Sequence, residues 1–153
     1  MKSVGIIAEY NPFHNGHAYQ LQKAKEASGA DFAVAVMSGD FVQRGEPAMF
    51  EKRLRARWAL ENGADMVITL PVPFALASAE AFALGGVTLL SRSGIADSIA
   101  FGSECGDANR LMQIANLLNS TLYQTQMQRF LAQGLSFASC RAALVREFIG
   151  KSA

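Results

Sequence analysis

The sequence contains little cysteine and almost no net charge, and both shortages narrow the classes of protein it can encode. Its two cysteines, Cys105 and Cys140, cannot form the disulfide framework of small secreted domains, which favours a reducing, cytoplasmic location. Its 14 basic residues nearly balance its 13 acidic residues, so the net charge of +1 gives no global indication of nucleic-acid or membrane binding. Any such binding must come from local patches of charge.

The sequence also lacks an apolar run suited to crossing a membrane. Its most apolar stretch, residues 66–90, contains Glu80 as its one charged residue. Pro71 and Pro73 interrupt this stretch early, so a strand, a turn and a buried helix explain it better than a membrane span. We see no secretory leader with a cleavage site. With 153 residues, half of them hydrophobic, the chain is expected to form one globular domain.

Short apolar runs alternate with helical patterns over residues 1–106. Strands are predicted at residues 4–8, 32–37, 66–70 and 98–101, and helices at 16–28, 49–61 and 78–90. Three further helical patterns follow, without another strand. This order predicts an α/β fold with a Rossmann-like parallel sheet, right-handed crossovers and a helical C-terminal tail. We therefore expect a nucleotide-binding core at residues 1–106 and a helical tail of the same domain at residues 107–153.

Ligands bind beyond the carboxyl ends of the strands in such sheets, which draws attention to four loops. These loops cover residues 9–15, 38–47, 71–77 and 102–106. The first of them leads into the first helix through "NPFHNGH", which contains the two histidines of the chain, His14 and His17. Three roles are open for this pair: metal ligands, ordinary core residues, or groups that contact the phosphates of a nucleotide.

The position of the two histidines favours the phosphate role. A zinc site would need two more ligands, and the cysteines are isolated, so we predict no metal site. A core role fits poorly with the polar turn that contains Asn11, Asn15 and Gly16. Between a strand and a helix N-terminus, backbone N–H groups and the helix dipole favour an anionic phosphate. Gly16 would let a phosphate approach the backbone, and both imidazoles could donate hydrogen bonds to its developing charge.

Several motifs carry a resemblance to a known family. "HNGH" resembles the H-x-G-H signature of the HIGH-type nucleotidyltransferase superfamily. The longer stretches "GIIAEYNPFHNGH", "VMSGDFVQRGEPA", "ITLPVPFA" and "IAFGSE" resemble, in this order, those of the bacterial tRNA(Met) cytidine acetate ligase family. The resemblance covers residue 1 to about residue 149. It implies activation of acetate by ATP to acetyl-adenylate, with release of pyrophosphate, and acetyl transfer to the wobble cytidine of elongator tRNA(Met).

The resemblance also implies which residues form the site. His14 and His17 would be the catalytic residues at the phosphates, and Gly102, in "FGSE", would lie against the nucleotide. The ATP-binding loop would comprise Ile7, Ala8, Glu9, Tyr10, Asn11, Pro12, Phe13, His14, Asn15, Gly16, His17, Ala18, Tyr19 and Gln20. ATP would be a substrate that carries Mg²⁺ on its phosphates, and acetate and elongator tRNA(Met) would be the other partners.

A second candidate region joins the loop after the second strand to the following helix. Its stretch "QRGEPAMFEKRLRAR" carries five basic residues, Arg44, Lys52, Arg53, Arg55 and Arg57, against Glu46 and Glu51. It is either a solvated helix face with a Glu51–Arg55 pair or a contact for ATP phosphate or the tRNA backbone. The candidate substrate- or tRNA-contacting residues are Ser38, Gly39, Asp40, Arg44 and Lys52. Trp58, further along the helix, is expected in the core rather than stacked on a base.

The chain departs from the family's pattern after residue 106. Family members are longer than 153 residues and carry a further strand, a second nucleotide-binding signature and a C-terminal region that helps to engage tRNA. Residues 107–153 contain no match to the second signature, so the resemblance is to an N-terminal portion with an incomplete fold. We expect the full-length relatives to be the ligases, and this chain to keep the fold and part of the ATP site.

Three alternatives remain open at this point. The first is another nucleotidyltransferase, such as an adenylyltransferase for a cofactor precursor. The second is a non-catalytic nucleotide- or RNA-binding module, which the basic stretch would permit. The third is a folding unit that self-associates and thereby buries apolar helix surface.

Overall fold

The first part of the chain is built around a parallel sheet. The structure is a computed structural model that describes residues 1–43 and 45–148. The chain divides into two compact units, Met1–Gly102 and Ser103–Ala153. In the first unit the sheet has the order β3-β2-β1-β4, and its strands are β1 (Ser3–Ala8), β2 (Phe32–Ser38), β3 (Met66–Leu70) and β4 (Ser98–Ile99). This confirms the predicted α/β fold with a Rossmann-like parallel sheet.

The helices of the first unit are α1 (Asn15–Ser28), α2 (Lys52–Glu61), α3 (Val72–Ala75) and α4 (Ala79–Ser93). Gly29 ends α1 with a φ of 62°, a left-handed conformation that glycine adopts freely. Ser78 caps α4 by accepting a hydrogen bond from the Ala81 amide. The short α3, which begins after Pro71, was missed by the sequence analysis, because a single turn has too few residues to show a helical period.

Helix α2 begins three residues later than predicted, and β4 ends two residues earlier. The predicted start of α2, Met49, instead uses its amide to donate a hydrogen bond to Asn11 Oδ1, at 2.7 Å. The carbonyl of Phe50 accepts a hydrogen bond from the Arg55 side chain at 2.9 Å. These bonds hold the segment before α2 against the loop after β1, and they prevent it from joining the helix.

Both faces of the sheet are covered by helices. On one face, strand residues such as Ile6 and Ala35 pack with Leu21 of α1 and Ala59 of α2. On the other face, the alternate residues of β2, Val34 and Val36, pack with α4; the buried residues of this cluster also include Leu70, Phe82 and Leu90. Helices α1 and α2 therefore lie on one side of the sheet and α4 on the other.

The second unit contains helices α5 (Ala108–Leu118), α6 (Thr121–Ala132) and α7 (Phe137–Phe148), as the expected helical tail requires. Asp107 caps α5 by accepting hydrogen bonds from the amides of residues 109 and 110. The buried cluster of this unit consists of Tyr123, Met127, Cys140 and Leu144. Cys140 is fully buried, whereas Cys105 is exposed. Within the described part of the chain, no helix has both the length and the apolar character to cross a membrane.

Candidate active site

The loop between β1 and α1 is built on a buried tyrosine. Tyr10 has a φ of 50°, which is uncommon for a residue with a side chain, and it is 1% exposed. Its ring makes T-shaped contacts with the rings of Phe13 and His17, with centroid distances of 4.9 and 4.8 Å. Burial raises the pKa of Tyr10 to about 12, so the phenol stays protonated at neutral pH. The tyrosine therefore supplies an uncharged aromatic support beneath His17.

The two histidines cap the helix that they open. The amide of Gly16 donates a hydrogen bond to His14 Nδ1 at 3.1 Å, and the amide of His14 donates one to His17 Nδ1 at 3.3 Å. The two rings stack with their centroids 3.7 Å apart. Because each Nδ1 accepts a backbone N–H, the neutral form of each ring carries its proton on Nε2. Both Nε2–H groups are thus held as donors for a ligand.

The electrostatics of this pair favour an uncharged donor at His17. Burial lowers the pKa of His17 below its usual range, and the neighbouring His14 lowers it further. The glycine between the two histidines has a packing role as well. A Cβ at Gly16 would lie only 2.9 Å from His14 Cε1, so the missing side chain makes room for the His14 ring. The expectation that Gly16 admits a phosphate stays a prediction.

A pocket of about 530 Å³ joins the first turns of α1 to the end of β4. Its lining contains Gly16, Tyr19, Gln20 and Gly102, which the sequence analysis assigned to the ATP site, and also Lys23, Ala24, Ala27, Ala100 and Phe101. We call it the nucleotide pocket, after the ligand that the sequence motifs predict for it. Because β4 follows a helix on the opposite side of the sheet from α1, the crevice between the ends of β1 and β4 is a topological switch point, where such folds bind ligands.

Two features of the nucleotide pocket concern charge and shape. Lys23 supplies a cation that the sequence analysis missed; its position seven residues after Gly16, on the same helix face, was the available signal. Its ammonium nitrogen forms an ion pair with Glu26 Oε2, at 2.6 Å. A Cβ at Gly102 would meet no atom within 4 Å, and the φ of this residue lies outside the left-handed region. Packing within the fold therefore does not require glycine at this position.

The loops after β1 and β2 are held together by a buried arginine. Arg55 of α2 is fully buried, and its guanidinium donates to the carbonyls of Glu9, Phe50 and Gly39, at 2.7 Å to Glu9. Burial lowers its pKa, while Asp40 and Glu9 oppose that shift. The prediction that Arg55 belongs to a surface patch, or pairs with Glu51, is therefore wrong. Arg55 lies four residues before Ala59, and this spacing places both residues on the core face of α2. The count of basic residues did not take this spacing into account.

The other candidate residues of this region lie near the same edge of the sheet. Ser38 and Gly39 are buried at the end of β2, and the Ser38 hydroxyl has no hydrogen-bond partner among the described residues. Asp40 is exposed and forms an ion pair with Lys52, at 2.7 Å. Arg44 lies outside the described residues. Ser38, Gly39, Asp40 and Lys52 do not line the nucleotide pocket.

A second pocket, of about 340 Å³, lies beside the start of α1, and we call it the aromatic pocket. It is lined by Pro12, Phe13, His14, Asn15, Phe50, Trp58 and Asn62. Trp58 was expected in the core, and this expectation is wrong: the side chain is half-buried, and its ring meets the Phe50 ring edge-on at 5.1 Å. Because Arg55 and Ala59 occupy the core face of α2, Trp58 is turned towards the margin of that face. Across residues 1–43 and 45–148, no group of three or more His, Cys, Asp or Glu could hold a metal ion.

Comparisons with known proteins identify the family of the chain and agree with its fold. The sequence model described as HIGH Nucleotidyl Transferase matches residues 1–153, so the chain belongs to the HIGH nucleotidyl transferase family. A relative from Acetivibrio thermocellus, named tRNA(Met) cytidine acetate ligase, is 49% identical over 99% of this chain. A relative of the same name from Thermoanaerobacter sp. is 47% identical, also over 99% of this chain. The resemblance that the motifs indicated is thereby confirmed.

A solved structure gives the same result for the fold. The crystal structure of Thermotoga maritima TmcAL bound with alpha-thio ATP matches 99% of this chain with a TM-score of 0.90 and 45% identity. The chain spans only part of these proteins: 37% of the Acetivibrio relative, 38% of the Thermoanaerobacter relative and 37% of the Thermotoga chain.

Proposed function

We propose that this chain provides the nucleotide-binding core of a tRNA(Met) cytidine acetate ligase. In this reaction, ATP activates acetate, and the acetyl group passes to the wobble cytidine of elongator tRNA(Met). One observation carries the proposal: His14 and His17 cap α1 through Nδ1, which leaves both Nε2–H groups as donors at the turn whose Gly16 lines the nucleotide pocket. The names of the relatives and the ATP analogue in the Thermotoga structure support it.

The activation step needs positioning and charge stabilisation more than a protein nucleophile. An acetate oxygen attacks the α-phosphorus of ATP, and the bond from that phosphorus to the pyrophosphate oxygen breaks. The histidine Nε2–H groups and the N-terminus of α1 would stabilise the negative charge that develops on the phosphate oxygens. Mg²⁺ would arrive on ATP, as part of that substrate.

The transfer step would then use the activated acetyl group. The exocyclic N4 of cytosine attacks the acetyl carbonyl carbon, a C–N bond forms, and the bond from that carbon to the phosphate oxygen breaks. AMP leaves with the electron pair, and one N4 proton passes to solvent. The residues of this chain contribute by holding the adenylate at the sheet edge, so that the two reactants meet in a fixed orientation.

The test separates helix capping from ligand binding. His14→Asn keeps an N-cap acceptor, and His17→Gln keeps the residue type that completes a capping box, but both replace the imidazole Nε2–H donor by an amide N–H in a different position. We expect each variant to reduce acetate-dependent exchange of pyrophosphate with ATP by about 10²-fold while thermal unfolding stays near that of the parent chain. Gln22→Ala, on an exposed position of α1, is the matched control.

The outcomes of this experiment distinguish the alternatives. Exchange that depends on a different substrate would replace the ligase with another nucleotidyltransferase. If calorimetry detects no ATP binding, both enzymatic functions fail for this chain, and a non-catalytic module or a self-associating folding unit takes their place. Exchange that proceeds equally well in both histidine variants would contradict the assigned role of the two rings.

A further inference from the structure

The aromatic pocket has the composition of a site for a nucleobase. Phe13, Phe50 and Trp58 provide aromatic surface, and Asn15 and Asn62 provide amide groups at the same opening. Phe50 is 39% exposed, so part of its ring is available to a ligand. Asn62 Nδ2 donates to the Trp58 carbonyl at 2.8 Å, which orients the Asn62 carbonyl oxygen as an acceptor. Proteins that recognise single-stranded RNA commonly combine base stacking on aromatic rings with hydrogen bonds to the base edge.

The aromatic pocket is next to the nucleotide pocket but is separate from it. The two pockets have no lining residue in common. His14 and Asn15 line the aromatic pocket, and the next residue, Gly16, lines the nucleotide pocket. A base in the aromatic pocket and a nucleotide in the nucleotide pocket would therefore contact adjacent residues of the chain, as two substrates of a transfer reaction should.

Helix α2, which contributes Trp58 to the aromatic pocket, also carries basic side chains. Lys52, Arg53 and Arg57 are on the helix that also carries Trp58. Arg53 has a side chain that is 88% exposed, and its ion pair with Glu51 is long, at 4.0 Å. Arg57 is exposed as well. Exposed cations on the helix that contributes Trp58 to the aromatic pocket suit a polyanionic strand, because phosphate contacts would hold the strand while the pocket takes a base.

We propose that the aromatic pocket binds a cytosine base of single-stranded RNA, and that this base is the acetyl acceptor. The proposal rests on the proposed function for the identity of the base, and on Phe50, Trp58 and the two asparagines for the site itself.

The chain contains a built-in reporter for this pocket. Trp58 is its single tryptophan, so its intrinsic fluorescence reports on the aromatic pocket alone. We expect an RNA stem–loop with cytidine at the wobble position to quench this fluorescence saturably, with and without ATP. Phe50→Leu, which keeps apolar volume but loses the ring, should raise the Kd for the stem–loop by about 10-fold, as loss of base stacking does. Leu60→Ala, on an exposed site of α2 outside the pocket, should leave the Kd unchanged.

Three outcomes would overturn the inference: no saturable quenching by the stem–loop, equal Kd values for the two variants, or quenching by ATP that displaces the RNA. The last would assign the aromatic pocket to ATP. Acetate-dependent pyrophosphate exchange needs no RNA, so it tests the proposed function separately. Exchange without quenching removes only the aromatic-pocket inference, whereas quenching without acetate-dependent exchange retains RNA binding and removes the ligase.

Discussion

At the residue scale, each histidine uses one ring nitrogen for folding, and the proposed function assigns the other ring nitrogen to recognition. Nδ1 accepts a backbone amide and fixes the start of α1, while Nε2 is directed away from that bond as a donor. The sequence predicts a role for these residues because a histidine pair at the junction of a strand and a helix is an uncommon pattern. It could not find the tautomer, because the tautomer depends on which backbone amides reach each ring, and only three-dimensional geometry specifies that.

The pKa of His17 should lie below that of an ordinary histidine, because burial and the His14 ring disfavour its charged form. The unfolded chain then binds a proton more readily than the folded chain, so the free energy of unfolding should fall as the pH drops below about 6.5. Above that pH the full contribution of the neutral ring is present. NMR titration of the two histidines, with urea unfolding at several pH values, would measure both effects.

The control for this titration is His17→Gln, which should flatten the dependence of stability on pH between about pH 6.5 and the lowered pKa of His17. A His17 resonance that titrates at or above the usual value would contradict the burial of the ring against Tyr10.

Arg55 should contribute strongly to stability through its three carbonyl partners. Arg55→Ala leaves those carbonyls without a donor in a buried position, and we expect a loss of about 3 kcal/mol in the free energy of unfolding. Arg53→Ala is the matched control on the same helix, with an expected change within about 0.5 kcal/mol, since its side chain is exposed. Urea unfolding of the three proteins gives both values. Equal losses in the two variants would show that Arg55 does not tie the loops together.

At the scale of elements, patterns of apolar residues predicted the strands and most helices well. Buried parallel strands are continuous apolar runs, and glycine or serine marks the helix ends, as Gly29 and Ser78 do. The start of α2 was wrong because Met49 and Phe50 have apolar side chains that fit the helical period. Their backbone groups instead bond to Asn11 and Arg55, and such distant partners leave no local trace in the sequence.

The glycine pair of α4 should be intolerant of larger residues. A Cβ at Gly86 would lie 2.7 Å from Ile7 Cδ1 and 2.8 Å from two further carbons of that side chain. We expect Gly86→Ala to destabilise the fold by about 1–3 kcal/mol through overpacking between α4 and β1, although alanine is the better helix former. Leu84→Ala, on the exposed side of α4, is the control and should change stability far less. Thermal or urea unfolding measures the difference, and a stabilised Gly86→Ala variant would contradict this close packing.

At the scale of the whole molecule, the order of strands and helices predicted the class of fold and the edge of the sheet that carries the candidate site. The first loop and Gly102 could be placed at one edge, because parallel strands end on the same side. The second loop was harder to interpret, since the run of basic residues hid the fact that Arg55 is buried while its neighbours are exposed. The number of basic residues gives the sign of the local charge, but it does not show whether a side chain points towards the core or towards solvent. The aromatic pocket was missed for a different reason: apolar residues are predicted to be buried unless something indicates otherwise.

The two units should differ in stability against local opening. The buried cluster of the second unit has four residues, whereas two larger clusters stabilise the sheet of the first unit. We therefore expect the amides of α5, α6 and α7 to exchange with deuterium well before those of β1 and β2. Mass spectrometry of exchanged peptides would show this order. Simultaneous exchange of all elements would instead support the single cooperative domain that the sequence analysis expected.

The contrast between the two thiols has a practical consequence for work with this chain. Cys140 is shielded from reagents in the folded state, whereas Cys105 is exposed, and a hydrogen bond with Ser103 lowers the pKa of its thiol. A maleimide dye would therefore attach to one defined position. In air-oxidised samples, any covalent dimer would be joined through Cys105, so assembly measured without a reductant would report sulfur chemistry instead of a natural interface.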